Sequence, residues 1–370
     1  MAIVKFGDIV RDVKINVDRA NNPYEHYVAG DHMDSEDLTI HRYGNFETDD
    51  VGPAFTRIFK PGQILYGSRR TYLKKVAVAD FEGICANTTF VLESKDYSLF
   101  DNRLLPFIML SDAFTRWSIA HSKGSTNPYV LFSDLADYEF DLPPIAEQKV
   151  LADKLWAAYR LKESYKKLLT ATEEMVKSQF IEMQHNSEQK NCLGDYIERC
   201  TPLRCGNREL PVLSVTQKQG IVFQDERFGA TVASNDKSNY IIVPRGYLVQ
   251  GIHIDESNFG IQKLVNEGIV SPAYKIWKFK NSDAIPELIE YYLRSEMAIK
   301  YFRSKFLGAT VPRRQVIRKE DFLALPLNLP CIDKQKDYFA IYNQADKSEF
   351  ELRKSIDAID KVIKSLINEN

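Results

Sequence analysis

The chain has 370 residues, 44% of them hydrophobic, and its 49 basic and 51 acidic side chains leave a formal net charge of −2. That size supports two or three domains with real cores and excludes a disordered chain. No stretch approaches the ~20 apolar residues of a membrane span and the first turns hold no apolar leader core, so a cytoplasmic protein is expected.

In chain order, Phe6-Gly7-Asp8-Ile9 is followed by short β-rich runs at Gln63–Tyr66, Lys75–Ala79 and Thr88–Leu92, punctuated by Gly, Asn, Pro and Asp. An amphipathic helix is expected over Leu105–Ser122, then the loop Gly124-Ser125-Thr126-Asn127-Pro128. Leu142-Pro143-Pro144-Ile145-Ala146-Glu147-Gln148-Lys149 then opens a helical pattern free of Gly and Pro as far as Glu188. The second half repeats the plan. Leu193-Gly194-Asp195-Tyr196 precedes β-rich runs at Ile241–Val243, Tyr247–Val249 and Tyr274–Phe279, a helix over Ile285–Phe306, and the loop Gly308-Ala309-Thr310-Val311-Pro312. Leu329-Pro330-Cys331-Ile332-Asp333-Lys334-Gln335-Lys336 then starts a second helical pattern that runs to Asn370.

Five landmarks thus recur at offsets of 184 to 187 residues, which is the size of a whole domain plus a helix and far too long for a solenoid unit. In the second long helix, Tyr338, Tyr342, Ala345, Glu349, Leu352, Ile356, Ile359, Ile363 and Leu366 keep the 4,3 spacing of a coiled-coil seam. The first places Leu151, Leu155, Ala158, Lys162, Tyr165, Leu169, Thr172, Val176 and Met183 on a weaker version. Two α+β domains alternating with two rods of ~40 residues, each about 60 Å long, are most simply arranged with pseudo-two-fold symmetry, the helices packing as an antiparallel coiled coil. The boundaries expected are 1–141 and 189–328 for the domains, 142–188 and 329–370 for the helices.

The near-neutral charge hides segregation. Arg57, Lys60, Arg69, Arg70, Lys74 and Lys75 lie between residues 57 and 75 with no acid among them, and Lys300, Arg303, Lys305, Arg313, Arg314, Arg318 and Lys319 crowd residues 299 to 319. Such concentration suits a protein that grips phosphates on one face, although solvated loops would read the same way.

The string at 142–149 opening a long helix, with Gly-Ser-Thr-Asn-Pro before it, resembles the signature of type I restriction-modification specificity subunits. The resemblance covers essentially the whole chain, and the second copy departs from it where Cys331 replaces a proline and Lys334 a glutamate. It implies two target-recognition domains, each reading half of a bipartite double-stranded DNA site, and helices that set the gap. It also implies docking of methyltransferase subunits, two of them expected and a restriction subunit besides. AdoMet would be their cofactor, with none on this chain.

Candidate DNA contacts in the first half are Ser68, Arg69, Arg70, Tyr72 and Lys74 in the turn after a strand, with Lys123, Ser125, Thr126, Asn127 and Tyr129 in the GxTxP loop. Arg matches guanine bidentately, and hydroxyls more often fix phosphates. In the second half they are Gln250, His253 and Asn258 in the equivalent turn, Thr310, Arg313, Arg314 and Gln315 in the loop, and Arg303 and Lys305 on the helix before it. Unlike side chains at one structural place imply unlike half-sites. Trp156, Tyr159 and Leu161 are the expected partner-binding residues on the first helix, in excess of what a two-helix contact needs.

An enzyme is the first competing reading. Asn127-Pro128-Tyr129 lacks a proline of the adenine-methyltransferase loop, and neither GxxxxGK[ST] nor GxGxxG occurs. His26 and His32 lie among Asp31, Asp34 and Glu36 without metal spacing, and Cys85, Cys192, Cys200, Cys205 and Cys331 form no CxxC pair. No metal and no catalysis are therefore expected. Two more readings compete with DNA recognition by a restriction complex: a coiled-coil assembly scaffold that does not bind DNA, and the specificity subunit of a methylation-only complex.

Overall fold

The structure is a computed structural model that describes residues 2–18, 21–188, 190–217, 219–225, 236–280, 283–306 and 317–368. It divides into two compact units, unit 1 of residues 1–169 with 351–370 and unit 2 of residues 170–350. Both long helices pass from one unit into the other, so each unit holds one mixed domain and part of each helix.

In chain order the first half contains β1 (Ala2–Lys5), α1 (Phe6–Ile9), β2 (Val10–Asp12), β3 (His26–Val28), β4 (Gly44–Asn45), β5 (Phe55–Phe59), β6 (Ile64–Gly67), β7 (Val76–Val78), β8 (Gly83–Ala86), β9 (Thr89–Ser94), α2 (Leu105–Leu110), α3 (Asp112–Ala120), α4 (Phe132–Ala136), β10 (Glu139–Leu142) and the long helix α5 (Ile145–His185). The second half contains α6 (Leu193–Tyr196), β11 (Ile197–Arg199), β12 (Leu213–Thr216), β13 (Gly220–Phe223), β14 (Ile241–Pro244), β15 (Leu248–Gln250), β16 (Phe259–Ile261), β17 (Glu267–Val270), β18 (Lys275–Phe279), α7 (Pro286–Leu293), α8 (Glu296–Lys305), α9 (Lys319–Leu323) and the terminal helix α10 (Ile332–Asn368).

The repeat read from the sequence is a repeat of topology. Unit 1 has an antiparallel sheet in the order β2-β9-β6-β7, and unit 2 has β11-β18-β15-β16. A second pairing, β5 with β8, returns as β14 with β17. The parallel pairing of Tyr27 with Ile84 beside it returns as the bridge of Val212 with Ile269. Gly7 and Gly194 mark one close approach in both copies: a Cβ on Gly7 would lie 2.6 Å from the Ala136 Cβ, and one on Gly194 would lie 3.2 Å from Leu323. A side chain at position 7 would therefore push α1 away from α4, and α6 packs almost as tightly on α9.

The inner strands β6, β9 and β15 are buried on both sides. In unit 1, Leu65, Ala77 and Val91 turn towards Val28, Phe59 and Cys85 of the other sheet. The alternate residues Ile64, Tyr66, Val76, Phe90 and Leu92 turn towards Leu105, Phe107 and Phe114 of the helices and towards Leu155 and Tyr159 of α5. Unit 2 divides Val249 and Ile276 from Leu248, Phe259 and Trp277 in the same way.

Two sequence expectations change in detail. The helix expected over Leu105–Ser122 is broken at Ser111, whose Oγ accepts the Phe114 N–H at 3.1 Å and so caps α3. The one expected over Ile285–Phe306 is broken at Ser295, which caps α8 through the Ala298 N–H at 3.3 Å. Serine is a favoured N-cap, and an apolar period cannot show the break. The coiled-coil seam holds. In unit 1 the first part of α5 packs on the last part of α10, with Leu155 and Ile363 in one core. In unit 2 the last part of α5 packs on the first part of α10, with Val176, Phe180, Tyr338 and Ala345 together. The two helices therefore run antiparallel. Lys162, the charged residue in the first seam, is 11% exposed in its side chain and pairs with Asp360 at 2.6 Å.

Candidate nucleic-acid interface

Unit 1 brings two distant stretches into one surface. After β6 the chain turns at Ser68-Arg69-Arg70 and makes one 3-10 turn over Thr71–Leu73. The loop after α3 returns at Lys123 to Tyr129. Arg69 bridges Tyr129 and Lys123 bridges Tyr129 as isolated β pairs. Between them the Arg70 N–H donates to the Pro128 carbonyl at 2.7 Å, and the Val130 N–H donates to the Ser68 carbonyl at 3.0 Å. Backbone bonds thus knit the arginine turn to the GxTxP loop, and Arg69, Arg70, Tyr72, Lys123, Ser125, Thr126, Asn127 and Tyr129 are all at least partly exposed on them. Gly124 sits at φ +86°, where glycine alone is unstrained, and Arg70 holds φ +49°. A left-handed arginine costs of order 1 kcal/mol or more.

The basic run from 57 to 75 resolves into a few free charges. Arg57 is part-buried and paired with Asp12 at 3.0 Å, and Lys60 lies 3.9 Å from Glu82. Lys75 donates to the Gly30 carbonyl. Lys74, expected on DNA, is instead a fold residue, 16% exposed, ion-paired with Glu36 at 3.1 Å and Asp112 at 3.3 Å. Burial alone would raise the Glu36 carboxyl, but Lys74 and Lys364 lower it. Arg69 and Arg70 have no ion-pair partner among the described residues. Ser68 is also a correction. It is 6% exposed, and its Oγ donates to the Thr88 carbonyl at 2.6 Å, so it supports the turn from inside. Lys123 is half-exposed but is held by Asp134 at 2.9 Å.

In unit 2 the matching turn differs. Gln250 is 3% exposed and its Oε1 accepts the Trp277 indole N–H at 3.0 Å, so it is core and not a reader. It occupies the place of Tyr66, an inward position of the strand. His253 is exposed, whereas Asn258 is half-buried and its carbonyl accepts the Gly251 N–H at 2.7 Å. Ser257, at φ +59°, closes this turn as Lys74, at φ +48°, closes the first, so that strained position belongs to the fold. Arg303 and Lys305 are exposed on α8, Lys305 with its ammonium 5.6 Å from the Tyr301 ring centre. Thr310, Arg313, Arg314 and Gln315 lie outside the described residues.

The partner-binding residues expected on α5 divide. Tyr159 is 5% exposed; its hydroxyl donates to Asp37 at 2.7 Å and accepts the Leu38 N–H at 3.0 Å. Trp156 is half-buried on Phe107, with its indole N–H on the Arg103 carbonyl at 2.9 Å. Both anchor the domain of unit 1 to its helix, because aromatic rings with a polar tip satisfy both needs at such a junction. Leu161 remains exposed, at 45%, with Val150 and Leu168 on the same helix.

The one grouping of possible metal ligands among the described residues is Asp37, His41 and Glu163. The Lys166 ammonium already lies 3.0 Å from Asp37 and 2.8 Å from Glu163, and supplies the positive charge that this cluster needs. Burial would raise the Asp37 carboxyl, yet the Thr39 N–H, the Tyr159 hydroxyl and Lys166 together bring it down to about 2. No helix among the described residues is long and apolar enough to cross a membrane.

Residues 22–173 match the family model described as the type I restriction modification DNA specificity domain. Over 148 residues the chain is 29% identical to the type I restriction enzyme EcoDI specificity subunit of Escherichia coli. That match spans 40% of this chain and 32% of the relative, about a third of its length. Among solved structures, the S subunit of the type I restriction-modification system from M. genitalium aligns with a TM-score of 0.58 at 13% identity, covering 99% of this chain and 95% of that one. A chain from a study of complex assembly and conformational transition of the type I R-M system aligns with a TM-score of 0.56 at 15% identity, covering 99% and 96%. At these identities the structural likeness speaks for the fold.

Proposed function

We propose that the chain, similar over residues 22–173 to the type I restriction modification DNA specificity domain, is a specificity subunit that reads a bipartite double-stranded DNA site, one half with the domain of unit 1 and the other with the domain of unit 2. It does no chemistry of its own. The two long helices set the gap between half-sites and dock two methyltransferase subunits, which bring AdoMet, and a restriction subunit joins them in the cytoplasm. A rigid spacer between two readers makes spacing a part of specificity.

The observation that carries this reading is the unit 1 surface itself. Two arginines without ion-pair partners among the described residues, two tyrosines and a run of hydroxyl and amide side chains converge from stretches more than fifty residues apart. Arg70 holds a left-handed conformation on an exposed turn whose backbone is bonded to the GxTxP loop, a costly geometry that suits a groove reader that must aim a guanidinium. Phosphate contacts are expected from Lys305 and Arg303, and from Arg313 and Arg314 in the second loop. Replacing Arg313 and Arg314 by Ala is expected to weaken binding and flatten its salt dependence.

The test is selection from a degenerate duplex library by the chain in complex with methyltransferase subunits, followed by methylome sequencing of cells that express it. Two enriched half-sites at a fixed gap are expected. A scaffold that does not bind DNA would enrich no sequence, and turnover of DNA by the isolated chain with AdoMet or ATP would overturn the non-catalytic assignment.

A further inference from the structure

The two-residue turn Asn87–Thr88 carries the chain of unit 1 from β8 in one sheet to β9 in the other. It lies directly beside the arginine turn. Ser68 donates both its N–H, at 3.0 Å, and its hydroxyl, at 2.6 Å, to the Thr88 carbonyl. From other directions the Asn87 N–H donates to the Ala54 carbonyl at 2.9 Å, and the part-buried Arg57 donates to the Thr89 carbonyl at 3.1 Å while paired with Asp12.

The turn is therefore fixed from three sides, and the side chain it presents is unexplained by the fold. Asn87 is exposed, and its carboxamide makes no hydrogen bond among the described residues. Asparagine in a turn usually answers one of two local needs, a left-handed backbone or a side-chain bond that closes the turn. Neither applies, because among the described residues the non-glycine positions with positive φ are Glu36, Arg70, Lys74 and Ser257. The strands on either side of this turn match those of unit 2 at an offset of 185 residues, so the corresponding place there is Pro272, which has no polar side-chain group. The free polar group is thus a feature of unit 1.

We propose that Asn87 is a specificity-determining residue of the unit 1 interface, whose carboxamide reads an adenine in the major groove, with Ser68 and Arg57 as positioning residues that hold its turn against Arg69. This rests on the DNA-reading function proposed above. A carboxamide matches the N6 donor and N7 acceptor of adenine, and a neighbouring arginine turn supplies guanine or phosphate contacts. The result is a three-part reader made of the arginine turn, the GxTxP loop and this short turn.

The experiment repeats the library selection with the full chain and methyltransferase subunits, comparing the unaltered chain with Asn87→Ala and Asn87→Asp, and records thermal unfolding of each. Both variants are expected to lose adenine preference at one base pair of a single half-site by about tenfold or more, while the other half-site, the gap and the unfolding temperature stay as they were. Unchanged preferences at every position in both variants would overturn the assignment. Loss of all preference together with a lowered unfolding temperature would overturn it too, by showing that Asn87 supports the fold. An unaltered chain that enriches no sequence would instead remove the DNA-reading function on which the proposal stands.

Discussion

Gln148 and Gln335, 187 positions apart, are both fully buried and make the same three hydrogen bonds. Gln148 accepts the Asp101 N–H at 2.9 Å and donates to the carbonyls of Leu99 at 3.0 Å and Pro143 at 2.8 Å. Gln335 accepts the Ile285 N–H at 2.9 Å and donates to Asp283 at 2.8 Å and Pro330 at 2.7 Å. Each glutamine ties the first turn of a long helix to the loop that leads into the helices of its own domain. Gln148→Ala and Gln335→Ala are each expected to cost about 2 kcal/mol or more, because a buried N–H and two carbonyls lose their partner. Urea unfolding of the two variants checks this, and equal losses are expected in both. A loss in one alone would mean that the pair is similar in geometry but not in weight.

Those glutamines were legible because they lie inside a string that repeats, and so was the seam of the two long helices. What stayed hidden depended on partners far away along the chain. Lys74 looks like one more cation in a basic run until Glu36 and Asp112 are folded against it. Gln250 looks like an amide poised after a strand until Trp277 takes its oxygen. Trp156 and Tyr159 exceed what a two-helix seam needs, and the surplus is used by the domain packed beside them. Asn87 escapes a reading of the sequence because a lone Asn beside Thr carries no local pattern, and only the Ser68 contact places it at the interface.

The exposed arginines separate from the ion-paired Lys74 in a salt titration. Arg69→Ala with Arg70→Ala is expected to reduce the slope of log affinity against log salt by about 1 to 2 if the guanidiniums meet phosphates, since each contact contributes roughly 0.9. Guanine readout would instead leave the slope and relax one base position. Lys74→Ala is expected to change neither, and to lower stability through the loss of its two ion pairs. A fall in slope for Lys74→Ala equal to that of the arginine pair would return Lys74 to the interface.

Asp37 gives unit 1 a pH dependence whose sign is fixed. Its carboxyl is held at about 2, below the ordinary aspartate value. A depressed folded pKa stabilises the fold at pH values above the unfolded one, and that stability is lost as pH falls through the folded value. The contribution should therefore be complete above about pH 4 and fade towards pH 2, with a full size of about 2 kcal/mol. The difference in unfolding free energy between the unaltered chain and Asp37→Asn, followed by urea titration from pH 7 down, is expected to shrink across that window. A difference independent of pH would show that Tyr159, Thr39 and Lys166 hold the amide as well as the carboxylate.

Lys162 and Asp360 test what a charge does in the seam of unit 1. The lysine is 11% exposed and its ammonium lies 2.6 Å from a carboxylate that is 38% exposed. Truncating the better solvated partner strands the worse solvated one, which is the costly way to break such a pair. Asp360→Ala is expected to cost about 1 to 3 kcal/mol, reduced from the fully buried figure because the carboxylate is partly screened by water. Lys162→Met should cost less, since methionine fills the space of the lysine stem without a charge to solvate. In the double variant the aspartate loss should then add little. Urea unfolding of the four proteins gives the coupling directly. If Asp360→Ala costs the same with lysine as with methionine at position 162, the pair contributes nothing to stability, and its 2.6 Å contact serves at most to fix the register of the two helices.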